Sequence, residues 1–497
     1  MDRRRFLAGL TRSGLGLGAL GLAGGARADA ASWRRFHAAL DRTPALAVYA
    51  DTVGSQAGEA ALSGRLPAEL RGSFYRNGPG RFELGGERYH HWFDGDGFAQ
   101  RWTIADGRVQ HLGRFVETRR FLDESQAGQF LYPSFGTYVA RRGFRDNDSL
   151  NAANTNLLPF AGRVYALWEG GSATEVDPGT LATIGLKTWR DDLRAMPFSA
   201  HPKIDPQGGM WNFGALPGSD RIALYQIGTD GQVRRTGLVP VPRQAMVHDF
   251  AVSARHLIFL VPPYDLTPDR ELSFAERHVW AGSGPDARPL RVVVVAKDTL
   301  AVRTIFELPP RMVFHFGNAW EDGDCTRFDV VLHEGDVLAE LGGLMVGERR
   351  ASLRNRSATL QVCLDYATGQ AATSRLFGAS EFPRVMPQVV GRRHRRLALL
   401  GGDGPVLSSV NLVDTDTGKV DGYHFGAGWQ VEEHVLVPRR HARSETDGYL
   451  VGVAQDLRKG VGVMTVFDAA HVADGPLALA RLPYRTPHCF HGNFLSA

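Results

Sequence analysis

The apolar residues of this chain fall in short, β-branched runs rather than in long helical stripes. Segments such as RVYALWEG, RIALYQIG, HLIFLVPP, RVVVVAK, GYLVGVAQD and VGVMTVFD are bounded by Gly, Pro and Asp, which is how strands read. Helical patterning is confined to residues 32–40, with shorter windows at 117–130 and 339–352. The pattern predicts an all-β protein.

The strand pairs recur. Marking each strand, turn, strand unit by its turn aspartate gives Asp106, Asp177, Asp230, Asp298, Asp365, Asp414 and Asp468, with successive gaps of 71, 53, 68, 67, 49 and 54 residues. Seven hairpins at blade-like spacing predict a seven-bladed β-propeller with a small helical and loop cap. An array of β-sandwiches would give similar hairpins, but no linker-like stretch separates such units. In a propeller, each outer hairpin is followed by the innermost strand of the next blade, so residues a fixed distance beyond each turn converge on the axis. His201 lies 24 residues beyond Asp177, His248 18 beyond Asp230, His315 17 beyond Asp298 and His491 23 beyond Asp468; Glu381 and Glu433 follow their turns by 16 and 19. Four imidazoles with nearby carboxylates would make a metal site with an outer shell. The alternative is that these are unrelated members of a set of 17 histidines.

Several short motifs sharpen this. LRGSFYRNGPG (70–80), HHWFDGDGF (90–98), AHPKID (200–205), VHDFAVS (247–253), FHFGNAWED (314–322), EFPRV (381–385), EEHVLVPR (432–439) and the terminal FHGNF (490–494), taken in this order, resemble the carotenoid cleavage oxygenase family from about residue 60 to the end. The resemblance implies an axial non-haem Fe(II), one per chain, held by His201, His248, His315 and His491, with dioxygen as co-substrate. It implies that Glu169, Glu381 and Glu433 accept the free ring N–H of three of these ligands, and that the methyl group of Thr155 crowds one open iron position. Glu433, not its neighbour Glu432, has the family's five-residue spacing to Pro438, while His434 stands where the family usually has proline. The stretch holding His91, Asp94 and Asp96 is expected to be a structural turn under the cap. His90, His256, His278, His333 and His441 have no motif support and are expected to be solvated or core residues rather than ligands, and His488 and Cys489 are expected to be bystanders.

The implied reaction is oxidative cleavage of a conjugated C=C bond into two carbonyl products, inside a dry apolar tunnel. In the family's stilbene-cleaving branch a lysine precedes the first outer-shell glutamate and joins a tyrosine at the substrate phenol. Here those positions are Trp168 and Phe135, which lack the polar anchor and favour a hydrocarbon. A carotenoid or apocarotenoid polyene is therefore expected, with stilbene or phenylpropene cleavage as the alternative. Isomerisation with ester cleavage and a non-catalytic binding propeller are further alternatives. So insoluble a substrate implies a peripheral membrane contact for uptake.

Composition changes the picture at the N-terminus. Residues 1–30 carry a charged n-region with Arg3-Arg4-Arg5-Phe6-Leu7, a short Gly-rich apolar stretch, and small residues suited to cleavage after Ala28 or Ala30. This reads as a twin-arginine export signal for the periplasm, leaving residues 31–497 as a single propeller domain. Residues 1–28 hold five arginines and one aspartate, so their removal takes the net charge from +4 to zero. The basic excess thus gives no reason to expect nucleic acid. Only three cysteines are present, Cys325, Cys363 and Cys489, which excludes a disulfide scaffold or Cys-rich zinc site. Nothing in the sequence names a protein partner.

Overall fold

Val292 and Val294 pack toward Phe316 and Val330, whereas Val293 and Val295 pack the opposite way, against Phe213 and Leu224. A strand covered on both faces has no polar side to show, which is why RVVVVAK is apolar at successive positions. The computed structural model describes residues 27–215, 219–243, 245–341, 356–402 and 407–497. In it seven antiparallel sheets of four or five strands form a seven-bladed β-propeller. Each seam between neighbouring blades holds its own apolar cluster.

All seven predicted turns join the third and fourth strands of a blade, counting from the axis outward. The aspartates earn their place locally: Asp177 Oδ1 accepts from the N–H groups of Gly179 and Thr180, and Asp365 Oδ1 from those of Ala367 and Thr368. These are Asx turns, which bend the chain without help from the rest of the fold.

The ring closes twice. The C-terminal strand Gly492–Ser496 is the inner strand of blade one, paired with Gly72–Arg81 in the register Phe74 to Phe494 and Arg76 to Gly492. Near the N-terminus, the strand Ala61–Gly64 is the outer strand of blade seven, paired with Ala478–Arg481.

The first helix among the described residues, Ala30–Arg42, begins at Asp29, whose carboxylate accepts from Ser32 N at 2.6 Å. The window at 117–130 contains the helix Arg119–Ala127. Of the window at 339–352, the structure has only the end of a five-residue helix, Val337–Leu341, and the remainder lies outside the described residues. Residues 1–26 of the expected export signal also lie outside them.

The HWFDGDG stretch forms the short 3-10 turn Trp92–Asp94. Asp94 accepts from Gly136 N and Thr137 Oγ1 at 2.7 and 2.6 Å, and Arg81 donates to Asp96 at 2.7 Å. Its carboxylates therefore hold cap loops together. Among the described residues no helix is long and apolar enough to cross a membrane, and all three cysteines are free thiols.

Candidate metal centre

Every blade contributes one residue to the axis through its inner strand. Thr155, His201, His248 and His491 stand immediately before or within two residues of the inner strands of blades two, three, four and one; His315, Glu381 and Glu433 lie inside those of blades five, six and seven. Glu169 is the exception, arriving from the loop after Arg163–Leu167, the second strand of blade two.

The structure brings the four histidines together: one ring nitrogen from each lies within 4.8 Å of all the others. His201 Nε2 and His248 Nε2 are 2.9 Å apart. The Nδ1 atoms of three of them face outward to carboxylates, His248 to Glu169 at 2.9 Å, His315 to Glu381 at 2.6 Å and His491 to Glu433 at 3.0 Å. A carboxylate can only accept, so each of these Nδ1 atoms carries the proton and each Nε2 presents its lone pair to the axis. His201 has no carboxylate partner; its backbone N–H is held by Ser199 Oγ at 3.0 Å.

Three of the inner strands are bent to do this. The register slips between Val313 and Phe316, between Glu381 and Arg384, and between Val431 and His434. In each bulge two residues oppose one, which re-aims a side chain that a regular pleat would send elsewhere. At the second bulge Phe382 adopts a φ of 55°, left-handed backbone that a non-glycine residue takes only under local constraint. At the third, Glu433 turns to His491 while Glu432 pairs with Arg76 at 2.6 Å. His434 fits where proline was expected: it is buried, with Nδ1 at Glu432 O (2.7 Å) and Nε2 at Thr465 Oγ1 (2.6 Å).

Two more residues complete the site. His333, expected to be a solvated or core residue rather than a ligand, is buried and outside the four-histidine group, and it also supports the site: its Nε2 donates to Glu381 Oε1 at 2.6 Å. It comes from the second strand of blade five, Cys325–His333, a position with no motif and no periodic signal. Arg384 donates to Glu433 Oε1 at 2.8 Å and to the carbonyl of Gly492 at 3.1 Å. It lay within a quoted motif, EFPRV, without a role. Thr155 donates its hydroxyl to Asn154 Oδ1 at 3.0 Å, and its carbonyl accepts the His491 N–H at 3.3 Å. His488 stacks on Trp92, with ring centroids 4.6 Å apart, away from the cluster.

Charge follows from this wiring. Burial, and then the neighbouring imidazoles, hold His201 well below the ordinary histidine range. Burial also takes His491 down to about 4, against the pull of Glu433. At His248 burial opposes the cation, but the Glu169 carboxylate outweighs it and raises the pKa. Burial would raise Glu381 and Glu433, yet His315 with His333, and Arg384 with His491, keep both ionised well below the usual carboxylate range.

These residues fit a divalent metal ion. Four nitrogens this close can all lie within bonding reach, about 2 Å, of one point. His315 Nε2 is buried without a hydrogen-bond partner, an expense that a ligand would offset. Three carboxylates, offset by one guanidinium, back the imidazoles, an outer shell rich in negative charge that complements a divalent cation.

On the cap side the cluster meets aromatic rings. Phe314 lies edge-on to His248 at 5.6 Å, and Phe93 contacts Phe135, Phe314 and Phe490 at 5.2, 6.2 and 5.3 Å. Phe135 and Phe93 join an apolar cluster with Met246, Tyr264, Met312 and Leu338. The one phenol of that cluster, Tyr264, donates to Asp336 at 3.1 Å.

The chain is 30% identical over 472 residues to the apocarotenoid-15,15'-oxygenase of Synechocystis sp., covering 87% of this chain and 92% of that protein. It is 27% identical over 455 residues to the isoeugenol monooxygenase of Pseudomonas nitroreducens, with 87% and 93% covered. The crystal structure of the cobalt-substituted Synechocystis oxygenase superposes with a TM-score of 0.82 at 25% identity, covering 95% of this chain and all of that one. The family described as retinal pigment epithelial membrane protein matches residues 51–496, and with that match the chain belongs to the carotenoid cleavage oxygenase family.

Proposed function

We propose that this protein is a ferrous-iron dioxygenase that cleaves a conjugated C=C bond of an apocarotenoid or carotenoid into two carbonyl products. The observation that carries this reading is the convergence of four imidazole nitrogens, three backed by carboxylates, beneath an aromatic wall. His201, His248, His315 and His491 would hold one Fe(II), and the ion would supply the binding and activation of dioxygen. Glu169, Glu381 and Glu433 hold the ring protons at Nδ1 and so fix which nitrogen faces the axis. Phe93, Phe314 and Phe490 keep bulk water from the reacting end of the polyene.

The Synechocystis structures include variants of a threonine, of a tryptophan thirteen residues later, and of the glutamate directly after that. Thr155, Trp168 and Glu169 have the same spacing, which supports the carry-over of all three. Trp168 and Phe135 in place of a lysine and tyrosine favour the polyene over a stilbene or phenylpropene.

The test is incubation of the ferrous protein with apocarotenals, full-length carotenoids, resveratrol-like stilbenes and isoeugenol, with mass identification of the carbonyl products. Cleavage of stilbenes or isoeugenol alone would overturn the substrate assignment. Retention of full activity by His248→Ala would overturn the metal assignment.

Uptake of so apolar a substrate calls for a membrane contact, and exposed Leu122 and Phe144 flank the Arg142–Asp123 ion pair on the cap. The arginine-rich start supports export of the folded chain to the periplasm. Cleavage after Ala28 would keep Asp29 as the cap of the helix Ala30–Arg42, and cleavage after Ala30 would remove it. N-terminal sequencing of the secreted protein decides between them.

A further inference from the structure

The inner strands do not stop at the histidines. Beyond them a cavity of about 490 Å³ runs along the axis, walled by residues of the inner strands of all seven blades. His201, His315 and His491 form part of its lining, as do Lys203, Asp249 and Arg384. Its wall residues lie at or after the site residue of each inner strand, whereas Phe314 and Phe490 immediately precede one. The cavity is thus a shaft that reaches the cluster from the side opposite the aromatic wall.

The shaft carries charged side chains where the cap side presents aromatic rings. Lys203 and Arg384 keep 20% and 30% of their side chains in solvent, although their partners Asp249 and Glu433 are buried at 2.7 and 2.8 Å from them. A hydrated divalent ion entering past Phe93, Phe314 and Phe490 has to cross aromatic rings before it meets the Glu169 carboxylate, a desolvation cost of several kcal/mol or more. Along the shaft, amide, carbonyl and carboxylate oxygens can replace that water step by step. A hydrocarbon has the opposite preference.

We propose that this axial shaft is the route by which a hydrated divalent metal ion reaches and leaves the four histidines, separate from the apolar cap side. This rests on the metal-centre reading above. Lys203 then acts as a brake, because its ammonium stands on the wall and repels a passing cation. Val390 and Gln388, which line the shaft and are not among the proposed ligands, are places to block it.

The test uses full-length chelator-treated protein and Co(II), with stopped-flow absorbance following uptake and a competing chelator following release. Equilibrium titration of the same samples measures affinity. Val390→Trp and Gln388→Trp, each checked for an unchanged melting temperature, should slow uptake and release together by about tenfold or more with the Kd within twofold of wild type. Lys203→Met should speed uptake several-fold, most at low salt. Wild-type uptake rates in both tryptophan variants would overturn the route while leaving the metal centre standing. Failure of the unaltered protein to bind Co(II) at equilibrium would instead overturn the metal centre, and the route with it.

Discussion

His333 Nε2 lies 2.6 Å from Glu381 Oε1, while the other oxygen of that carboxylate takes His315 Nδ1 at 2.6 Å. One glutamate thus spans two histidines, only one of which faces the axis. His333 is 6% exposed, so no water substitutes easily if it is removed. It is a positioning residue, acting on the metal through Glu381 and His315. His333→Ala should weaken Co(II) binding by about 10- to 100-fold, the usual range for an outer-shell partner, and shift the cobalt d–d spectrum. His333→Gln keeps a donor and should recover most of the affinity. Equal losses in both variants would argue for a packing defect instead.

The C-terminal segment has two separable roles. Residues 491–497 carry His491 and also the inner strand of blade one, Gly492–Ser496, held to Gly72–Arg81 and by Arg384 to the Gly492 carbonyl. Deletion of residues 491–497 should abolish metal binding and lower the melting temperature, because an inner strand and its seam are lost. His491→Ala should abolish metal binding at a much smaller cost in melting temperature of the metal-free protein. Calorimetry of the two variants with and without Co(II) checks this, and metal retention by His491→Ala would remove it from the ligand set.

What the sequence disclosed here, and what it did not, divides by range. The Asx turns at Asp177 and Asp365 are local, so the seven hairpins could be counted without a structure, whereas the four axial histidines are singled out from the 17 only with the family's motifs. The bulges at 314–315, 382–383 and 432–433 are not local, since each depends on which residues of the neighbouring strand pair with it. Turn spacing therefore does not separate Glu432 from Glu433, and it is the family's five-residue spacing to Pro438 that selects Glu433. His333 reaches Glu381 across the seam between blades five and six, and nothing within its own strand signals such a contact. Arg384 sits in plain view in EFPRV, yet its partner is 49 residues away on the next blade.

Substrate choice should turn on Trp168, which precedes Glu169 and whose ring also packs against Gly170, where an added Cβ would meet it at 2.6 Å. Replacing it with lysine, together with Phe135→Tyr, restores the polar pair expected of a phenol-binding site. The double variant should shift the ratio of kcat/KM for a hydroxystilbene over an apocarotenal upward by about tenfold or more, since a site built to hydrogen-bond a hydroxyl discriminates strongly. An unchanged ratio, with both substrates simply slower, would mean that these two positions do not touch the substrate.

Asp51 makes the cap's attachment pH-dependent. Its carboxylate accepts from Phe82 N at 2.7 Å and Glu83 N at 3.3 Å, and its carbonyl accepts from Arg485 at 3.0 Å, tying the N-terminal segment to the tail. Burial, with the nearby Glu83 charge, pushes the Asp51 pKa up to about 7 in spite of those N–H donors. A carboxyl whose folded pKa exceeds its unfolded value near 4 favours folding most while both states are protonated. That contribution is complete below about pH 4 and is lost as pH rises through about 7. Asp51→Asn mimics the protonated acid and cannot titrate, so it should match wild type near pH 4 and melt higher by a few degrees at pH 8. Parallel melting curves for the two proteins between pH 5 and 8 would show that Asp51 is already ionised in the fold at no cost.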